Sequence, residues 1–118
     1  MAERLYISKL IKSDLAVSSD KASIVFEQLQ KNLQLKVKTT IDFSNIKSLT
    51  TAFLNIAIGE LYRYENKETL NEFINIDVDT LSKLQINKVK LVIENSRAKY
   101  NPELKKKIDE VTLHGEID

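Results

Sequence analysis

Thr40-Ile41-Asp42-Phe43-Ser44-Asn45-Ile46-Lys47-Ser48-Leu49-Thr50-Thr51-Ala52-Phe53-Leu54-Asn55-Ile56-Ala57-Ile58-Gly59-Glu60-Leu61-Tyr62 reads as a strand end, a polar turn and a mostly buried helix. The strand begins upstream, where Leu35 to Phe43 alternates apolar and polar residues in its first half and is rich in β-branched side chains. Ser44-Asn45 supplies the turn. From Thr51 to Tyr64 the helix is apolar around most of its circumference, so it belongs mostly inside a core. Its polar residues Thr51, Asn55, Gly59 and Arg63 recur every four positions. That spacing predicts a single polar stripe facing solvent or a partner.

On the N-terminal side, Leu5 to Val17 partly alternates around Lys12-Ser13-Asp14 and reads as one strand or a loose hairpin. Ser19 or Asp20 can then cap a helix in which Ala22, Phe26, Leu29 and Leu33, with Val25 beside them, face a core while Glu27, Gln28, Gln30 and Lys31 face water. On the C-terminal side, Phe73 to Val78 alternates as a third strand, and Asp79 or Thr80 can cap the next segment. That segment, Leu81 to Tyr100, carries both periods, but its length without Gly or Pro favours a helix. Asn101-Pro102 starts a last helix with Leu104, Ile108 and Val111 on a narrow apolar face, closed by His114-Gly115. Alternating strands and helices predict an α/β fold with helices covering a small sheet.

Composition bounds the function. A chain of 118 residues buries one core, with residues 1–100 expected as the domain and 101–118 as a C-terminal helical extension of it. No apolar run approaches the ~20 residues needed to cross a bilayer and the first residues lack a signal-peptide pattern, so the expected location is the cytoplasm, without membrane contact. The absence of cysteine removes disulfides, thiolate metal sites and thiol nucleophiles, and one histidine removes a histidine-rich metal site. Eighteen basic against seventeen acidic side chains leave no broad positive field for nucleic acid. Lys105-Lys106-Lys107 lies among Glu103, Asp109 and Glu110 and reads as a solvated helix face. No Gly-rich phosphate loop or catalytic triad pattern is present, which argues against an enzyme, a cofactor or a metal centre.

The candidate chemistry collects at the start of the central helix. Thr50 and Thr51 have two readings: caps of the helix, or a regulatory hydroxyl at a helix start, where unpaired N–H groups and a partial positive charge favour an anion. Phosphorylation there would add about −1.5 to −2 charge to the surface and control association. Asp42, with Ser44, reads as ordering the loop through a hydrogen bond, since a single carboxylate makes a poor ion site. Asn55, Gly59 and Arg63 read either as a landing strip for a partner, with Gly59 permitting close approach, or as a solvated stripe.

Ile41-Asp42-Phe43-Ser44-Asn45-Ile46, Leu49-Thr50-Thr51-Ala52-Phe53-Leu54-Asn55 and Ile58-Gly59-Glu60-Leu61-Tyr62 resemble the strand end and following helix of STAS domains, and more closely the STAS-like bacterial domains of unknown function. The likeness spans Leu5 to Tyr100. It implies a small STAS-like sheet of about four strands with helices mainly on one face. It also implies a protein-binding role like that of anti-sigma-factor antagonists, which dock on a histidine-kinase-like ATP-binding protein and are phosphorylated on a serine opening this helix, often after an aspartate. Here Thr50 takes the aspartate-like position and Thr51 the serine-like one. Where STAS-like relatives tend to carry serine, Thr51 keeps a hydroxyl and Ala52 drops one. The alternative is a constitutive interaction or assembly subunit without phosphotransfer.

Overall fold

The computed structural model describes residues 2–100. Three parallel strands, β1 (Ala2–Tyr6), β3 (Lys38–Asp42) and β5 (Ile74–Ile76), form the main sheet in the order β1-β3-β5. Leu5 lies opposite Ile41, and Ile41 opposite Ile76, so one apolar row crosses the sheet. Period-two alternation puts Leu5, Thr39, Ile41 and Phe43 on the buried face and Ala2, Arg4, Tyr6, Lys38 and Asn75 on the exposed one. The helices cover the first face, as the family resemblance implies.

The expected four-stranded sheet is instead this three-stranded one plus a separate two-residue ladder, β2 (Leu15–Ala16) with β4 (Ser48–Leu49), also parallel. The reading of Leu5 to Val17 as one strand or hairpin is corrected accordingly. After β1 the chain makes one helical turn, α1 (Ile7–Leu10), and passes through Lys12 at φ 56° before β2. Buried Ile7 and Ile11 at four-residue spacing anchor that turn, and their alternation with polar neighbours mimics a strand over so short a run.

Helix α2 (Ser19–Gln34) is capped by Ser18, whose hydroxyl accepts the Lys21 N–H at 3.3 Å, one residue before the expected cap. Ala22, Val25, Leu29 and Leu33 are buried, and so is Asn32. Asn32 donates to Thr39 (3.0 Å) and Glu3 (2.7 Å) and accepts from Gln28 (3.0 Å), which satisfies a polar side chain inside the core and ties α2 to two strands. The helix ends with Lys36 at φ 56°, where N–H groups of Lys36 and Val37 bond Leu33 O and Asn32 O. That pairing is a Schellman motif with lysine where glycine is usual.

The central helix runs through α3 (Thr51–Leu54), a π-helical turn (Asn55–Gly59) and α4 (Leu61–Tyr64). Its i→i+5 bond is Glu60 N–H to Asn55 O, 2.9 Å. Phe53, Leu54, Ala57, Ile58 and Leu61 are buried, whereas Tyr64 is 59 % exposed. After α5 (Lys67–Phe73), β5 and a 3₁₀ turn (Val78–Thr80), α6 (Lys83–Tyr100) packs on the central helix. Ser82 and Gln85 exchange reciprocal side-chain to N–H bonds at its start, a capping box. The expected extension over 101–118, with His114 and Lys105 to Lys107, lies outside the described residues.

Candidate functional site

Asp42 ends β3 and turns the chain. Its carboxylate accepts the Ser44 N–H at 2.8 Å, Asn45 then takes φ 67°, and Ile46 N–H bonds Phe43 O at 3.1 Å. Asparagine tolerates that left-handed geometry better than a branched residue. The loop-ordering roles read for Asp42 and Ser44 correspond to these contacts.

A strand far away in sequence holds the same carboxylate and joins it to a second one. Arg4 Nη1 from β1 donates to Asp42 Oδ2 at 2.7 Å and to Asp77 Oδ2 at 2.9 Å, spanning the ends of all three strands. Thr80 closes the cluster, its hydroxyl accepting Phe43 N–H at 2.9 Å and donating to Asp77 O at 2.6 Å. Burial pushes the Asp42 carboxyl up, but the hydroxyl and N–H of Ser44 and the Arg4 guanidinium together outweigh it and leave it below its ordinary value. Asp42 is ionised at neutral pH and fixed in place.

The chain from Asp42 delivers β4 beside β2. Asp14 O accepts Lys47 N–H at 2.7 Å, and Ala16 O accepts Thr50 N–H at 3.2 Å. Side chains of α6 cover the other edge, with Gln85 donating to Ile46 O at 3.3 Å and Lys88 Nζ to Leu49 O at 2.9 Å. Thr50 is the N-cap: its backbone is extended (φ −104°, ψ 154°) and its hydroxyl accepts Phe53 N–H at 3.1 Å. Thr51 is the first helical residue and half-buried, with Ala52 and Asn55 exposed beside it.

Parallel pairing of Ala16 with Leu49 has a further effect. Each strand leads into a helix, so the Ser18-capped start of α2 and the Thr50-capped start of α3 lie side by side. Leu15 (47 % exposed) and Val17 (44 %) flank this edge. Thr51 thus opens a helix whose start lies beside that of α2, with Leu15 and Val17 exposed on the segment that leads into α2.

The four-residue stripe does not survive as one face. Asn55 and Arg63 are exposed, but Gly59 is buried against α6, where an added Cβ would lie 2.7 Å from Ser96 Oγ and 3.5 Å from Val92 Cγ1. Four-residue steps drift by about 40° each on an α-helix, and the π turn changes the register again. Gly59 therefore serves helix packing and is removed from the landing strip. Arg63 stands beyond it, over the Tyr100 ring and 3.7 Å from Glu60.

No local pattern in the sequence singles out Arg4, Asp77 or Lys88, and Thr80, read as a cap of the next helix, instead bonds Phe43 N–H and Asp77 O, while Ser82 caps α6. The places of Arg4, Asp77 and Lys88 come from contacts between distant segments. Ser82-Lys83-Leu84-Gln85, however, is a readable start signal for α6 that the pattern of apolar residues alone passes over.

A parallel sheet with helices on one face, followed by a strand, an Asx-type turn and a capped buried helix, defines a small α/β domain of the STAS type. The family model described as "STAS-like domain of unknown function (DUF4325)" matches residues 21–79, and the chain belongs to this family. The match covers α2, β3, the capped central helix, α5 and β5. Searches of the curated proteins and of the solved structures return no match. Among the described residues, no helix is long and apolar enough to cross a membrane.

Proposed function

We propose that this chain is a regulatory protein-binding module of the cytoplasm, not an enzyme, that docks on a histidine-kinase-like ATP-binding partner. The docking surface is the edge formed by Leu15, Val17, Thr51 and Asn55. The observation that carries this reading is the placement of Thr51: half-buried, one residue after a satisfied N-cap whose N–H bonds Ala16 O, with Leu15 and Val17 exposed on either side of Ala16 in the chain. Apolar side chains at such an edge supply area, and the polar neighbours set register.

Phosphorylation at Thr51 is the switch in this proposal. A phosphate there would meet the helix start and the ammonium of Lys88, which bonds the carbonyl of Leu49 two residues earlier. The added charge would sit where the partner packs and weaken the complex. Thr50 is the poorer acceptor, because its hydroxyl already serves Phe53. The second reading is a constitutive interaction subunit in which Thr51 only fills the first turn. It draws support from Ala52, which supplies no hydroxyl at the exposed position next to Thr51.

The test incubates the full chain with a histidine-kinase-type ATPase from the same genome and ATP, then maps phosphate by intact mass and peptide sequencing. The proposal expects one phosphate, on Thr51, and loss of the complex. Thr51 unmodified while the ATPase is bound and active removes the switch and leaves the constitutive module.

A further inference from the structure

A cavity of about 580 Å³ opens at the far end of the central helix, between α4, the start of α5 and the last turn of α6. Its volume falls in the range of small-molecule sites. Its lining is unlike the rest of the surface: Tyr62, Tyr64 and Tyr100 supply three rings, and Arg63, Arg97 and Lys67 three cations. Two carboxylates, Glu65 and Glu68, also line it, so the cations prevail by one charge.

The two arginines come from facing helices, and each lies over a tyrosine ring. The Arg97 guanidinium lies 5.9 Å from the Tyr62 ring centroid, and the Arg63 guanidinium 5.5 Å from that of Tyr100. A guanidinium attracted to a ring face can still offer N–H groups to a planar or tetrahedral oxyanion. Arg97 spends one donor on Asn71 Oδ1 (3.1 Å), and Arg63 interacts with the Tyr64 hydroxyl and with Glu60 at 3.7 Å, out of five N–H donors each. Donors left over on two arginines that line one cavity fit phosphate.

The third ring supplies a different contact. Tyr62 carries Arg97 on its face, and Tyr100 carries Arg63 with Lys99 5.2 Å away. Tyr64 is 59 % exposed, lies 6.0 Å from the tilted ring of Phe26 and engages Arg63 through its hydroxyl, which leaves the ring itself toward solvent. It offers an open aromatic face at the rim of the same cavity, which suits a nucleobase. An adjoining crevice of about 380 Å³ shares Tyr62 and Arg97, but Arg97 is the one charged residue in its lining.

We propose that this cavity binds a mononucleotide, with its phosphate between Arg63 and Arg97 and its base on Tyr64. The site is separate from the Thr51 surface: Tyr64 lies thirteen residues beyond Thr51 along the central helix, roughly 20 Å at ~1.5 Å per residue.

Isothermal titration calorimetry of the full chain with AMP, GMP, adenosine and inorganic phosphate tests this. Saturable binding of a nucleotide, at least about tenfold tighter than adenosine or phosphate alone, is expected, because both halves of the ligand contribute. Tyr64→Ala should weaken it about tenfold and Tyr64→Phe should restore it. Arg97→Lys, which keeps the charge but loses the fork, should weaken it about tenfold, with thermal melting confirming that each variant is folded. Thr51→Ala should leave the affinity unchanged, which separates this site from the docking surface. Absence of nucleotide binding at millimolar concentration, phosphate binding as tightly as nucleotide, or affinity indifferent to Tyr64→Ala and Arg97→Lys would each overturn the proposal.

Discussion

The Cβ that alanine would carry at position 59 falls 2.7 Å from Ser96 Oγ, so the central helix and α6 approach as closely as glycine allows. Alanine in a helix interior ordinarily gains about 1 kcal/mol over glycine. Here the overlap opposes that gain, and overpacking costs about 1–3 kcal/mol. Gly59→Ala is therefore expected to destabilise the fold by about 1 kcal/mol. In a Ser96→Ala background the clashing oxygen is gone and the same substitution should become neutral or stabilising. Urea denaturation of the four proteins in this cycle reads the change of sign.

Thr50→Ala removes the acceptor of the Phe53 N–H and should cost about 1 kcal/mol, while Thr50→Ser should retain most of it. Thr51→Ala, one residue on, loses no cap and should stay within about 0.5 kcal/mol of wild type. Thermal melts of the three variants separate the capping residue from the candidate phosphoacceptor.

Those neighbours also show what can be read in a sequence. The Ser44-Asn45 turn and the face of Ala22, Val25, Leu29 and Leu33 are local patterns, and each appears in the structure as expected, whereas the strand read from Leu35 starts only at Lys38, because Leu35 to Val37 close α2 and leave Leu35 64 % exposed. A regular four-residue period misplaces Gly59, because the segment it crosses contains a π turn. No residue type in Asn55 to Gly59 announces that turn. Ile7 and Ile11 look like strand residues because one helical turn is too short to establish a period. The Arg4 bridge to Asp42 and Asp77 joins positions 38 and 73 apart, so no window of sequence contains it.

Asp42 makes stability depend on pH with a definite sign. Its carboxyl titrates lower in the folded chain than in the unfolded one, so the unfolded state binds the proton more readily. The stabilising contribution is complete above the ordinary carboxylate range and is lost as pH falls through the folded value. Wild type should lose stability on acidification below roughly pH 4, and Asp42→Asn, less stable at neutral pH, should lose less over that interval. Urea midpoints measured across the acid range check this, and parallel curves for the two proteins would count against it.

Lys36 at φ 56° closes α2 in a conformation that costs a residue with a Cβ about 1 kcal/mol. Lys36→Gly should therefore stabilise the chain by about 0.5–1 kcal/mol, with loss of the Lys36 contact over the Phe73 ring (5.8 Å) reducing the gain. A melting-temperature rise in the variant is the expected reading.

Amide hydrogen exchange of the chain alone and mixed with the proposed histidine-kinase-like ATP-binding partner tests the proposed docking surface most directly. The account predicts new protection at Leu15 to Val17 and Thr51 to Ile56, with little change on β1 or at the exposed face of the main sheet. Protection on that sheet face, with the Thr51 segment unchanged, would contradict it.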